Sequence, residues 1–109
     1  MLAAYRQRLD SGFAGQYVIF GHIGDAHVHV NVLPRSGEEA SRAAALILDL
    51  ARDAVRLGGT VSAEHGLGKR KAHLLALQYT AGEIEAMRSI KRRLDPQWLL
   101  GRGTLFPPV

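Results

Sequence analysis

The chain has no cysteine in 109 residues, which excludes disulfides and thiolate chemistry and leaves the redox compartment unread. It lacks any apolar run approaching the ~20 residues of a membrane span. Its start, Met1-Leu2-Ala3-Ala4-Tyr5-Arg6, lacks the long apolar core of a secretory signal. A cytoplasmic location, or a peripheral one at the inner membrane face, is therefore expected. Aromatic residues make up only 6% of the chain, so few side chains can stack on bases. Acidic residues are outnumbered, giving a net charge of +4, but the basic residues are dispersed over several segments. That charge suits an anionic small substrate or a negatively charged partner surface better than nucleic acid. No glycine-rich phosphate loop opens a helix after a strand.

What is present is enough for one small domain or a piece of a larger one, with an ordinary hydrophobic fraction of 47%. Residues 1–10 read as the end of a helix, with Leu2, Tyr5 and Leu9 spaced three and four apart. Gln16 to Gly21 and Val28 to Leu33 read as two strands of an antiparallel hairpin, joined by a turn at Gly24-Asp25-Ala26-His27. Ser36 and Glu39 form the pattern of a capping box, opening a helix to about Leu57 whose apolar face is Ala43, Leu46, Ile47, Leu50, Ala54, Val55 and Leu57. Gly58-Gly59 ends it. A short helix is expected over residues 69–79. Thr80 and Glu83 form a second capping box, for a helix to about Leu94 with a core stripe of Ile84, Met87, Ile90 and Leu94. Strands and helices do not alternate strictly, so the fold class is α+β, an antiparallel sheet packed with helices. Two strands make a poor sheet; further strands are expected from residues outside this sequence, a partner copy or the apparent loops.

Two glycine-framed stretches hold the chemistry. Gly21-His22-Ile23-Gly24-Asp25-Ala26-His27-Val28-His29-Val30-Asn31 and Ser62-Ala63-Glu64-His65-Gly66-Leu67-Gly68 contain four of the five histidines. On one continuous strand, His22 and His29 would point to opposite faces; across a hairpin they can face each other. His29 and Asn31 share a face. With Glu64 as a third ligand delivered by its loop, two imidazoles and a carboxylate suit Zn²⁺ with an open position, and equally Mn²⁺ or Fe²⁺. Adjacent Glu64 and His65 are expected to diverge, leaving a neutral His65 to serve as general base. His27 reads as a turn or supporting residue. Asp25 reads as a turn former, with orientation of an imidazole as its rival role. His73 reads as solvent-facing. Lys69-Arg70-Lys71 opposes a helix dipole and is either a solvated face or a seat for a substrate carboxylate or cofactor phosphate.

These motifs resemble the C-terminal domain of FAD-linked oxidases, the group of D-lactate dehydrogenase, glycolate oxidase and D-2-hydroxyglutarate dehydrogenase. The resemblance runs over roughly residues 16–106. It includes Gly59-Thr60-Val61-Ser62 ahead of Glu64-His65-Gly66 and a closing helix with Met87-Arg88, Ile90-Lys91, Leu94-Asp95-Pro96 and Leu99-Leu100. It implies a ferredoxin-like cap that binds substrate, residues 1–109 being the C-terminal part of an enzyme whose FAD is held by a preceding domain or subunit absent here. It also implies His22, His29 and Glu64 as divalent-metal ligands, Asn31 beside the site and His65 as catalytic base. The activity implied is oxidation of a D-2-hydroxy acid to the 2-oxo acid, with the isolated chain inactive; separately, the unfinished sheet and exposed flavin-facing surface argue for self-association. This chain departs from the family pattern in three places. Ala26-His27 stands where Gly-Asn is usual, adding a further candidate ligand. Ala63 stands where Gly is usual, and Gly101-Arg102-Gly103-Thr104 where Asn-Pro-Gly-Lys is usual. A non-catalytic metal- or ligand-binding module without flavin, and a basic scaffold or nucleic-acid-binding domain, are the competing readings.

Overall fold

The computed structural model describes residues 1–106. The chain divides into two compact units, Met1–Leu57 and Gly58–Val109. The fold class is α+β, as expected.

In the first unit, helix α1 (Leu2–Phe13) precedes strands β1 (Tyr17–His22) and β2 (His27–Val32), and helix α2 (Gly37–Arg56) follows. The strands pair antiparallel, the one sheet among the described residues. Alternation decides what each face does. Tyr17 and Ile19 of β1, with Val28, Val30 and Val32 of β2, pack on a core of Tyr5 and Leu9 from α1 and Leu50 and Ala54 from α2. Leu9 is fully buried, and its burial contributes about 2 kcal/mol. The other face of the hairpin carries Val18, Phe20 and His22 opposite Asn31, His29 and His27.

α1 runs three residues past the expected end because Phe13 is buried, one more apolar anchor on the same helix face. Ser36 caps α2, its hydroxyl accepting from Glu39 N at 3.1 Å. The Glu39 carboxylate instead takes the N–H of Arg35, at 2.7 Å, so this box is half made. Gly58, at φ +82°, provides the left-handed turn after α2.

Asp53, unremarkable in sequence, is buried on α2 at 3% exposure. Arg8 of α1 binds it with two nitrogens, Nε to Oδ2 and Nη2 to Oδ1 at 3.1 Å. Arg56 adds Nη2 to Oδ1 at 2.7 Å. Hydrogen bonding from Arg8, reinforced by the charges of Arg8 and Arg56, holds the Asp53 carboxyl below its ordinary range. The forked guanidinium of Arg8 thus ties α1 to α2.

The second unit is a loop-rich segment carrying α3 (Leu75–Gln78) and α4 (Ala81–Leu94). The expected helix over 69–79 starts late: residues 68–71 form a turn, Ala72–Leu74 a single 3₁₀ turn, and only then does α3 begin. The Thr80 box is complete. Thr80 N donates to Glu83 Oε2 at 2.8 Å, and Glu83 N donates to Thr80 Oγ1 at 3.3 Å. The expected core stripe of α4 is not a core. Ile84 and Met87 are half-buried, while Ile90 and Leu94 are 61% and 79% exposed. Among the described residues of this unit, Leu67, Leu74, Leu75, Asp95 and Phe106 are buried. Asp95 accepts from Leu99 N at 3.0 Å and Leu100 N at 2.9 Å, and binds Lys91 Nζ at 2.5 Å. It thereby stops α4 and folds the following turn back on it. Leu105 N donates to Gly68 O at 2.9 Å, fastening the tail to the loop of the second motif.

Candidate functional site

The hairpin connection is built from a 3₁₀ turn, Ile23–Asp25, closed by Ala26 in the left-handed region at φ 52°, ψ 31°. Ala26 N donates to Ile23 O at 3.1 Å. Asp25 lies in this turn, exposed, in keeping with its reading as a turn former. The turn is one residue earlier than the sequence suggested. His27 is therefore not a turn residue but the first residue of β2.

That shift sets the partners. His22 pairs across the hairpin with His27, and Phe20 with His29. His22 and His29 share the outer face but stand diagonally, not opposite as the sequence suggested. The His22 and His27 rings lie 5.6 Å apart with a 41° tilt, and the His27 and His29 rings 4.6 Å apart with a 54° tilt. Phe20 stacks on His29 at 4.9 Å and 23°, bracing that imidazole from the far side. Asn31, two residues beyond His29, takes the next outward position. A ligand nitrogen of His22 and one of His27 lie within 4.8 Å of each other. The donor set fits a borderline divalent metal, because neutral imidazoles in mutual reach are what such ions bind. The strand alternation could have revealed His27: reading β2 from His27 puts His27, His29 and Asn31 on one face and Val28, Val30 and Val32 on the other.

In the second unit, Glu64 and His65 lie in irregular backbone between Ser62 and Gly68. Their side chains were expected to diverge. Instead His65 Nε2 lies 3.0 Å from Glu64 Oε2. Divergence of neighbours is a property of strands, and the bends at residues 63–65 remove it. Val61 N donates to Gln78 Oε1 at 3.0 Å, anchoring the loop upstream of this pair. Lys69, Arg70 and Lys71 are exposed and precede the first helical residue, Ala72. His73 is exposed, as expected. Among the described residues, no helix is long and apolar enough to cross a membrane.

Comparison with known proteins extends this picture to the first helix. The family model for the C-terminal domain of FAD linked oxidases matches residues 1–105. The chain is 45% identical over 93 residues to a D-2-hydroxyglutarate dehydrogenase of Xanthomonas citri pv. viticola, covering 82% of this chain and 20% of that protein. It is 34% identical to the glycolate oxidase subunit GlcD of Bacillus subtilis, over 80% of this chain and 19% of that one. It is 36% identical to a probable mitochondrial D-lactate dehydrogenase of Danio rerio, over 81% and 18%. The chain spans about a fifth of the length of these relatives. With its hairpin, its two chemical motifs and its closing helix all inside the matched region, the chain belongs to the family of FAD-linked oxidase C-terminal domains.

Proposed function

We propose that this chain is the substrate- and metal-binding portion of an FAD-dependent dehydrogenase or oxidase that converts a D-2-hydroxy acid to its 2-oxo acid. Residues 1–109 act as a C-terminal domain, working with a flavin-binding domain or subunit in the cytoplasm or at the inner membrane face. The observation that carries the reading is the outer hairpin face. Three imidazoles crowd one side of a strand pair whose other side is core. The names of the relatives supply the substrate class.

In this reading His22, His29 and Glu64 hold a divalent Zn, Mn or Fe ion. When bound, the metal supplies Lewis acidity and a template for the hydroxyl and carboxylate oxygens of the substrate. His65 accepts the hydroxyl proton as the C2–H bond breaks. FAD supplies the two-electron acceptor for the departing hydride. Asn31, Asp25 and His27 line or support the site, and Lys69 and Arg70 offset the charge of an anionic substrate.

The test is metal content together with reconstitution. Wild type loaded with Zn²⁺, Mn²⁺ or Fe²⁺ retains near-stoichiometric metal by elemental analysis, and His22→Ala does not. Joined to its flavoprotein partner, the wild type forms a yellow complex that reduces a dye only when a D-2-hydroxy acid is added. His65→Ala keeps the metal and loses dye reduction, by about 100-fold or more for removal of a general base. Absence of both metal retention and dye reduction overturns the proposal.

A further inference from the structure

We infer that His27 is itself a metal ligand beside His22, so that the hairpin presents a pair of facing imidazoles selective for nitrogen-preferring ions. This rests on the metal reading above and goes beyond its ligand set. The argument is geometric. His27 stands directly opposite His22 in the register and two residues before His29 on the same strand, so it lies between the other two rings. Its nitrogen is already within 4.8 Å of one on His22. Two nitrogens bound to one tetrahedral ion at ~2.0–2.1 Å sit about 3.3 Å apart, a difference that side-chain rotation alone closes. The His22 and His27 rings are tilted by 41° to one another, so their nitrogens can converge on a point, which parallel stacked rings cannot do.

His29 is the ring held in place, by Phe20 stacked across the hairpin. His22 stands at the end of β1, 52% exposed Phe20 two residues before it, on the open side of the face. All three imidazoles belong to the Met1–Leu57 unit and to two paired strands, so the register that builds the core also spaces the ligands. The chemical consequence follows from ligand type. Mn²⁺ prefers oxygen ligands, whereas imidazole suits Zn²⁺, Co²⁺ and Ni²⁺. Replacing an oxygen or water ligand by His27 shifts selectivity from Mn²⁺ toward Zn²⁺.

The experiment titrates the full chain with Zn²⁺ and with Mn²⁺ and records the visible absorption of the Co²⁺ form, for wild type, His22→Ala and His27→Asn. Circular dichroism without metal checks that each variant keeps its hairpin. The expected result is that His27→Asn weakens Zn²⁺ at least about 100-fold, more than loss of a supporting hydrogen bond would. Mn²⁺ affinity changes by less than about threefold, because Mn²⁺ gains little from an imidazole, and the Co²⁺ band shifts and weakens. If His22→Ala loses metal while His27→Asn matches wild type in Zn²⁺ affinity and Co²⁺ spectrum, the inference is overturned and the metal reading stands. If His22→Ala also binds like wild type, the metal reading falls and takes the inference with it.

Discussion

Gly21 faces Val28 across the hairpin, and a Cβ on Gly21 would stand 2.5 Å from the carbonyl oxygen of His27. The backbone there is also at φ +147°, which L side chains rarely adopt. The glycine is therefore what lets β1 come close enough to set His27 opposite His22. Gly21→Ala is expected to destabilise the chain by about 2 kcal/mol or more, as backbone clash and strain add. Zn²⁺ retention should fall with it even though no ligand is changed. A thermal melt and a metal assay on the same preparation check both; a variant as stable as wild type would show that the hairpin opens to admit the methyl at no cost.

Ala26 presents the reverse case. It sits in the left-handed region at φ 52°, where a Cβ costs about 1–2 kcal/mol. Ala26→Gly relieves that strain and gives back part of it through a freer unfolded chain. A net gain of about 0.5–1 kcal/mol is expected, read as a higher melting temperature with unchanged metal affinity.

Acid should unfold the chain through its paired carboxylates. Asp53, held down first by its hydrogen bond from Arg8, and Asp95, held down first by Lys91, both titrate below their ordinary 3.8. Glu83, through the Thr80 backbone N–H, and Glu85, through Arg92, lie below their ordinary 4.5. A carboxyl depressed in the folded state stabilises fully above its unfolded value, and the contribution is lost as pH falls through the folded value. Melting temperature should thus hold level from pH 7 to 5 and fall steadily below about pH 4.5. Asp53→Asn should melt lower at neutral pH and show a shallower decline below pH 4, because its share of the linkage is gone. Parallel slopes for the two proteins would remove Asp53 from the account.

The parts that were readable in the sequence are those set by local rules. The period-two run Val28, Val30, Val32, the Ser36 cap and the reciprocal Thr80–Glu83 pair need no distant partner, and each appears where its pattern put it. The misses come from elsewhere in the chain. Asp53 is buried because Arg8, 45 residues away, reaches it, and no spacing rule signals that. The stripe on α4 has the period of a core helix, yet Ile90 and Leu94 are exposed, because periodicity tells which face is apolar and not what covers it. The His22–His27 pairing was missed by one residue. A four-residue connection that includes a left-handed alanine is outside the usual glycine and asparagine turn chemistry, which is why turn chemistry alone places the turn one residue late and includes His27 in it.

The strand β2 carries two interleaved texts. Its odd-numbered residues, His27, His29 and Asn31, are addressed to the outer face, and its even-numbered valines to the core. Because a slip of one residue would exchange the two sets wholesale, the valines act as the punctuation that keeps the other text readable. The same separation makes the outer text editable: the imidazoles can be exchanged one at a time without rewriting a letter of the fold beneath.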